Sequence, residues 1–190
     1  MRNEIAALKA RACVAVACAT LVALSSNAFG GSGISGDGAE KAWTEYAQAQ
    51  RQFQQELADF LASRRPDLRD LILVSRDLQL GLIERRSLEF RYLLATHPER
   101  IVRNQGISKL ANFAWTDEDA KVLRRSNPDY EVVAKSVELL QERTDGHRQW
   151  PALRVAHQAL ARNADYQKIY GRFQQRVEAA GKLLEGGRLR

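Results

Sequence analysis

The sequence has 190 residues, of which 29 are Lys or Arg and 23 are Asp or Glu, for a net charge of +6. Its two cysteines, Cys13 and Cys18, both stand near the N-terminus, so the rest of the chain has neither a disulfide framework nor a thiolate ligand and its core alone must hold it together. No Asn-x-Ser/Thr tripeptide occurs, which excludes N-glycosylation.

The N-terminus reads in three parts. Basic Arg2, Lys9 and Arg11 lead into an apolar stretch from Ala12 to Leu24 interrupted only by Thr20, and Ser26-Asn27-Ala28 supplies a small-residue exit. This order predicts a cleaved signal peptide over 1–28, because the apolar stretch is shorter than the ~20 residues that span a bilayer as a helix. The competing readings are an uncleaved anchor and a lipoprotein modified at Cys18, the latter leaving a poor apolar core for export. Export places the protein outside the cytoplasm, periplasmic or secreted, and removes both cysteines. The 162 residues that remain are enough for one domain with a sizeable core. Charge is uneven along them: residues 29–145 carry 17 basic against 19 acidic side chains, and residues 146–190 carry nine against three. The basic character therefore belongs to the C-terminal end and points to an anionic partner there.

Residues 29–38 are glycine-rich and predict a flexible linker. Gly31, Gly33 and Gly36 match the spacing of a dinucleotide-binding loop, but the preceding strand that such a loop requires is absent from the pattern. Trp43, Tyr46, Gln50, Phe53, Leu57 and Phe60 recur in three- and four-residue steps and predict a helix from about Glu40 to Ser63, stopped by Pro66. A second helix, about Asp67 to Ala95, is apolar over much of its circumference and belongs in the middle of the fold. Gly81 within it implies the close approach of a neighbouring backbone.

Thr96-His97-Pro98-Glu99 resembles a capping box opening a short helix, and Gly106 interrupts the pattern before the apolar run Ile107 to Trp115. Thr116 followed by Asp117, Glu118 and Asp119 is a second helix start, and Asn127-Pro128 a third, opening a helix with Tyr130, Val133, Val137 and Leu140 inward and ending at Asp145-Gly146. From Pro151 onward Leu153, Ala156 and Leu160 are followed by a seam of Tyr166, Tyr170, Phe173, Val177, Ala180 and Leu184, with Asn163 to Asp165 an open question between one helix and two. No stretch keeps the period of a strand. The fold class is therefore all-α: an irregular four-helix-like bundle with long N- and C-terminal helices and short ones between them. It forms one domain over 39–186, in which the aromatic seams of the first and last helices face each other. Residues 187–190 are expected to be a disordered tail.

The chemistry-bearing residues are few. Outside the leader, His97, His147 and His157 are the only histidines; none lies at a spacing that puts two ligands on one helix face, though Asp145 and His147 flank a turn glycine, so no metal and no cofactor is expected. Glu84 and Glu89 alternate with Arg85, Arg86 and Arg91, which reads as a solvated face with helical ion pairs. No nucleophile motif is present. Trp43, Tyr46, Phe53, Tyr166, Tyr170 and Phe173 are the natural walls of an apolar pocket between helices, or simply core. Lys168, Arg172 and Arg176, four residues apart, form one helical stripe with Arg154, Arg162 and Lys182 nearby, a surface suited to an envelope protein or an anionic membrane or glycan. Nucleic acid is not expected as a partner, since no module for it accompanies the basic run. The expectation is an exported, non-enzymatic binding protein; the alternative is an exported enzyme or small-ligand binder with its site between helices.

Overall fold

The computed structural model describes residues 36–102 and 106–186, and the chain over these residues is all-α, without a strand. The expected leader over 1–28, the linker as far as residue 35 and the 187–190 tail lie outside the described residues. The helices are α1 (Gly36–Arg64), α2 (Arg69–Thr96), α3 (Ile107–Leu110), α4 (Asp117–Ser126), α5 (Pro128–Asp145), α6 (Trp150–Ala159) and α7 (Ala164–Gly186), with 3-10 turns at Pro66–Leu68, Pro98–Arg100 and Leu160–Arg162. No helix among them is long and apolar enough to cross a membrane.

α1 begins inside the stretch expected to be a tether, at Gly36. Ala39, Ala42 and Trp43 near its start are buried with Leu110 and Leu184, and burial at ~25 cal/mol per Å² outweighs a glycine's helix cost of about 1 kcal/mol. It ends where expected: Arg65, with φ −132° and ψ 66°, is forced out of the helical region by Pro66. Arg65 then grips Asp67 through two hydrogen bonds of 2.8 and 2.6 Å.

α1 packs against both α2 and α7, and α2 carries α5 on another side. α2 is thus buried from more than one direction, as its apolar circumference demands. The core divides by height. At one end Trp43, Phe90, Leu93, Ile101, Phe113 and Leu184 are buried together; at the other Ala58, Leu61, Leu68, Leu71, Ile72 and Leu153 are. A third group joins α4 to α5 through Leu123, Tyr130 and Ala134. Gly81 faces α5, where an added Cβ would stand 3.0 Å from Val137 Cγ2. The close neighbour is a side chain and not the backbone that the sequence suggests.

Two of the three predicted caps form. Thr116 Oγ1 accepts from Asp119 N at 3.2 Å while the Asp119 carboxylate accepts from Thr116 N at 2.9 Å, a reciprocal capping box. Asn127 Oδ1 accepts from Tyr130 N at 3.0 Å. The Thr96 box does not form: Thr96 is the last residue of α2, its hydroxyl donates back to Tyr92 O at 2.7 Å, and only the turn Pro98–Arg100 follows. A hydroxyl that can reach the carbonyl four residues earlier serves the helix it ends, not one it would open. Asn163 does separate two helices, with its Oδ1 accepting from Asp165 N at 3.0 Å and Tyr166 N at 3.2 Å to cap α7.

Candidate functional site

The basic C-terminal residues do not act as one stripe. Arg172 and Arg176 turn onto α1, where both grip Glu56: Arg172 through Nε at 3.2 Å and through Nη2, Arg176 through Nη1 at 2.9 Å. Burial acts to raise the Glu56 pKa, but hydrogen bonds from these two guanidinium groups overcome it and hold the carboxyl below the usual value. Lys168 pairs with Asp165 at 3.3 Å and Lys182 with Glu178 at 2.9 Å, each within α7. Arg154 on α6 and Arg162 in the following turn are exposed and have no ion-pair partner among the described residues. The structure thus joins Arg172 and Arg176 at one carboxylate and leaves Arg154 and Arg162 facing solvent.

The aromatic residues suggested as pocket walls pack on one another. Trp43 stacks on Phe90 with centroids 4.5 Å apart and meets Tyr46 edge-on at 5.9 Å. Phe53 of α1 lies 4.7 Å from Phe173 and 6.3 Å from Tyr170 of α7, and Tyr170 stacks with Tyr166 at 6.1 Å. Trp43 and Phe53 are buried and the other four half-buried, and the contacts of Phe53 with Tyr170 and Phe173 seat the last helix on the first. A cleft of about 20 Å³ lies elsewhere, lined by Leu57, Ile72, Ser75, Arg76 and His157 among others, room for roughly one water.

His157 in that cleft has its pKa pushed down by burial, opposed by a hydrogen bond to the Leu153 carbonyl. Asp145 and His147 are used locally: Asp145 accepts from Gln141 Nε2 at 2.9 Å, and His147 Nδ1 from Gln149 N at 3.2 Å. Among the described residues no three His, Cys, Asp or Glu side chains converge as metal ligands would.

The expectation of a solvated charged face on α2 is overturned at Glu89, which is 4% exposed. Its carboxylate accepts from Tyr130 Oη at 3.1 Å and Arg86 Nη1 at 3.1 Å, with Arg85 Nε at 3.5 Å. Burial and the adjacent carboxylate push the Tyr130 pKa up to about 12, so the phenol stays a hydrogen-bond donor. Arg86 lies over the Phe113 ring, its Cζ 3.5 Å from the centroid, and donates to Ala111 O at 3.3 Å and Phe113 O at 3.0 Å. A second arginine holds the same segment: Arg100 donates to Ala114 O at 2.8 Å and to both Asp119 oxygens at 3.0 and 2.7 Å. The hydrogen bonds from Arg100 do most to hold the Asp119 carboxyl well below the usual carboxylate range; burial opposes them, and hydrogen bonds from Thr116 add to them.

Each charged group here is committed to a protein partner, so the cluster fastens α2, α5 and the 111–116 segment together and offers no free acid, base or nucleophile. The chain matches no protein-family model, no curated protein and no solved structure.

Proposed function

We propose that the protein is an exported, non-enzymatic helical protein, an irregular four-helix-like bundle released from a signal peptide over 1–28, that works outside the cytoplasm by binding an acidic partner through its C-terminal end. The partner class is an envelope protein or an anionic membrane or glycan surface. The observation that carries the reading is the exposure of Arg154 and Arg162 without an ion-pair partner among the described residues, at the end of the chain where basic side chains outnumber acidic ones nine to three. Unpaired exposed guanidinium groups are free to meet carboxylate or phosphate bidentately, whereas Arg172 and Arg176 are already spent on Glu56. Arg154 and Arg162 lead the proposed contact set; Lys168 and Lys182, exposed but each paired within α7, are secondary to them, and Arg172 and Arg176 contribute by holding α7 in place.

The test is capture of envelope components and of anionic vesicles by the purified protein across a salt series. Binding should weaken as salt rises and fall further in the Arg154→Glu/Arg162→Glu variant, with thermal unfolding unchanged. Capture that ignores both salt and the double substitution disproves the reading.

A further inference from the structure

α5 buries Tyr130, Ala134, Val137 and Thr144 against α2 and α4 and leaves its opposite side to solvent. Along that side Asp129, Val132, Ser136, Leu139 and Arg143 follow steps of three and four residues, and all five are exposed. Val132 at 67% and Leu139 at 62% are among the most exposed large apolar side chains of the described residues. Asp129 and Arg143 at the two ends of this row have no ion-pair partner among the described residues, whereas Glu131 and Glu138 beside it are held by Arg124.

The order acid, apolar, polar, apolar, base has a symmetry of its own. Asp129 and Arg143 are centred on residue 136, and Val132 and Leu139 within half a residue of it. Laid antiparallel on a second copy about a twofold axis at Ser136, the row sets Asp129 beside Arg143 of the second copy and Val132 against its Leu139, each pairing made twice. A parallel arrangement puts like charge on like charge. The row spans about 21 Å at 1.5 Å per residue, enough for the side-by-side contact of two helices. Lys135, closest to the axis on one flank, is already neutralised by Glu131 at 2.9 Å on its own helix.

We propose that the outward face of α5 is a self-association surface, binding a second copy of this chain in an antiparallel, twofold-symmetric pair. The apolar centre is small, so the pair is a reversible one, formed at tens to hundreds of micromolar. This surface is separate from the basic end and independent of its partner.

Sedimentation equilibrium of the purified protein from about 5 µM to 1 mM tests it. A concentration-dependent monomer–dimer equilibrium is expected. Leu139→Glu should weaken it about tenfold or more without changing the helical signal. Asp129→Arg alone and Arg143→Asp alone should each weaken it, and the two together should restore it, because the swapped charges still face each other across the axis. A chain that stays monomeric to 1 mM, a dimer indifferent to Leu139→Glu, or a charge swap that fails to rescue while the monomer remains folded would each overturn the proposal.

Discussion

The indole of Trp43 on α1 lies flat on the ring of Phe90 on α2, with the planes 10° apart, and its Nε1 donates to Ser87 Oγ at 3.2 Å. The Ser87 hydroxyl in turn donates to Ile83 O at 2.8 Å, so the polar edge of a buried ring is satisfied through α2 itself. Phe90→Ala should cost about 3–5 kcal/mol in urea unfolding, as large aromatic truncations in a packed core do. Ser87→Ala removes only a hydroxyl but strands the indole N–H, and should cost about 1–3 kcal/mol. Trp43→Phe should cost less in the Ser87→Ala background than in the parent, since in that background it removes a donor already without an acceptor.

Arg86 is bound to a buried carboxylate and to two loop carbonyls at once. Arg86→Met should destabilise by about 2–4 kcal/mol, less than for a fully buried pair because part of the guanidinium reaches water. Amides of residues 111–116 should exchange faster in this variant even where the global unfolding is compensated. The double variant Arg86→Met/Glu89→Met should lose less than the sum of the two single variants, because the interaction that the pair shares is then removed only once.

Acid should loosen the α4 end. The Asp119 carboxyl is held below its unfolded value, so the folded state binds fewer protons, and the stability this contributes is present above the unfolded pKa of about 4 and lost as pH falls towards the folded one. Asp119→Asn should therefore be less stable than the parent at pH 7, with the gap closing as pH drops below about 4. Urea midpoints measured at several pH values check this; a gap independent of pH would contradict it.

His157 gives a second, milder dependence. Burial lowers its folded pKa, so the unfolded chain binds the extra proton first and stability declines as pH falls below about 6.5, by at most about 1.4 kcal/mol per pH unit. His157→Gln should flatten the stability profile between about pH 7 and pH 5. Arg76 lines the same cleft and pairs with Asp77 at 2.7 Å.

The long helices are legible in the sequence because each has one dominant apolar row, as in Trp43, Phe53 and Leu57, and because Pro66, Asn127 and Asn163 act locally. α2 is different. It is buried from several directions, so a residue off its main row is not necessarily outside, and Glu89, which a single-row reading sends to solvent, faces Tyr130 41 residues later in the chain. Nothing local marks that pairing. The same limit applies to Arg172 and Arg176: their four-residue spacing correctly puts them on one side of α7, but only the tertiary fold brings Glu56 to that side, 116 and 120 residues away in sequence. Charge reversal of these two arginines would oppose no carboxylate of a partner but repel Glu56, and should lower stability rather than report on binding.

The 111–116 segment has almost no regular structure of its own, and Arg86 and Arg100 recognise it through carbonyl oxygens that every residue type possesses. At Ala111 and Ala114 what these arginines read is therefore the course of the chain, whereas at Phe113 Arg86 also reads the ring it covers. Ala111 and Ala114 are open to exchange for other small residues at little cost, while lengthening the segment by even one residue would carry its carbonyls out of reach of both guanidinium groups. Variation is tolerated in identity at these two alanines, and in length nowhere along the segment.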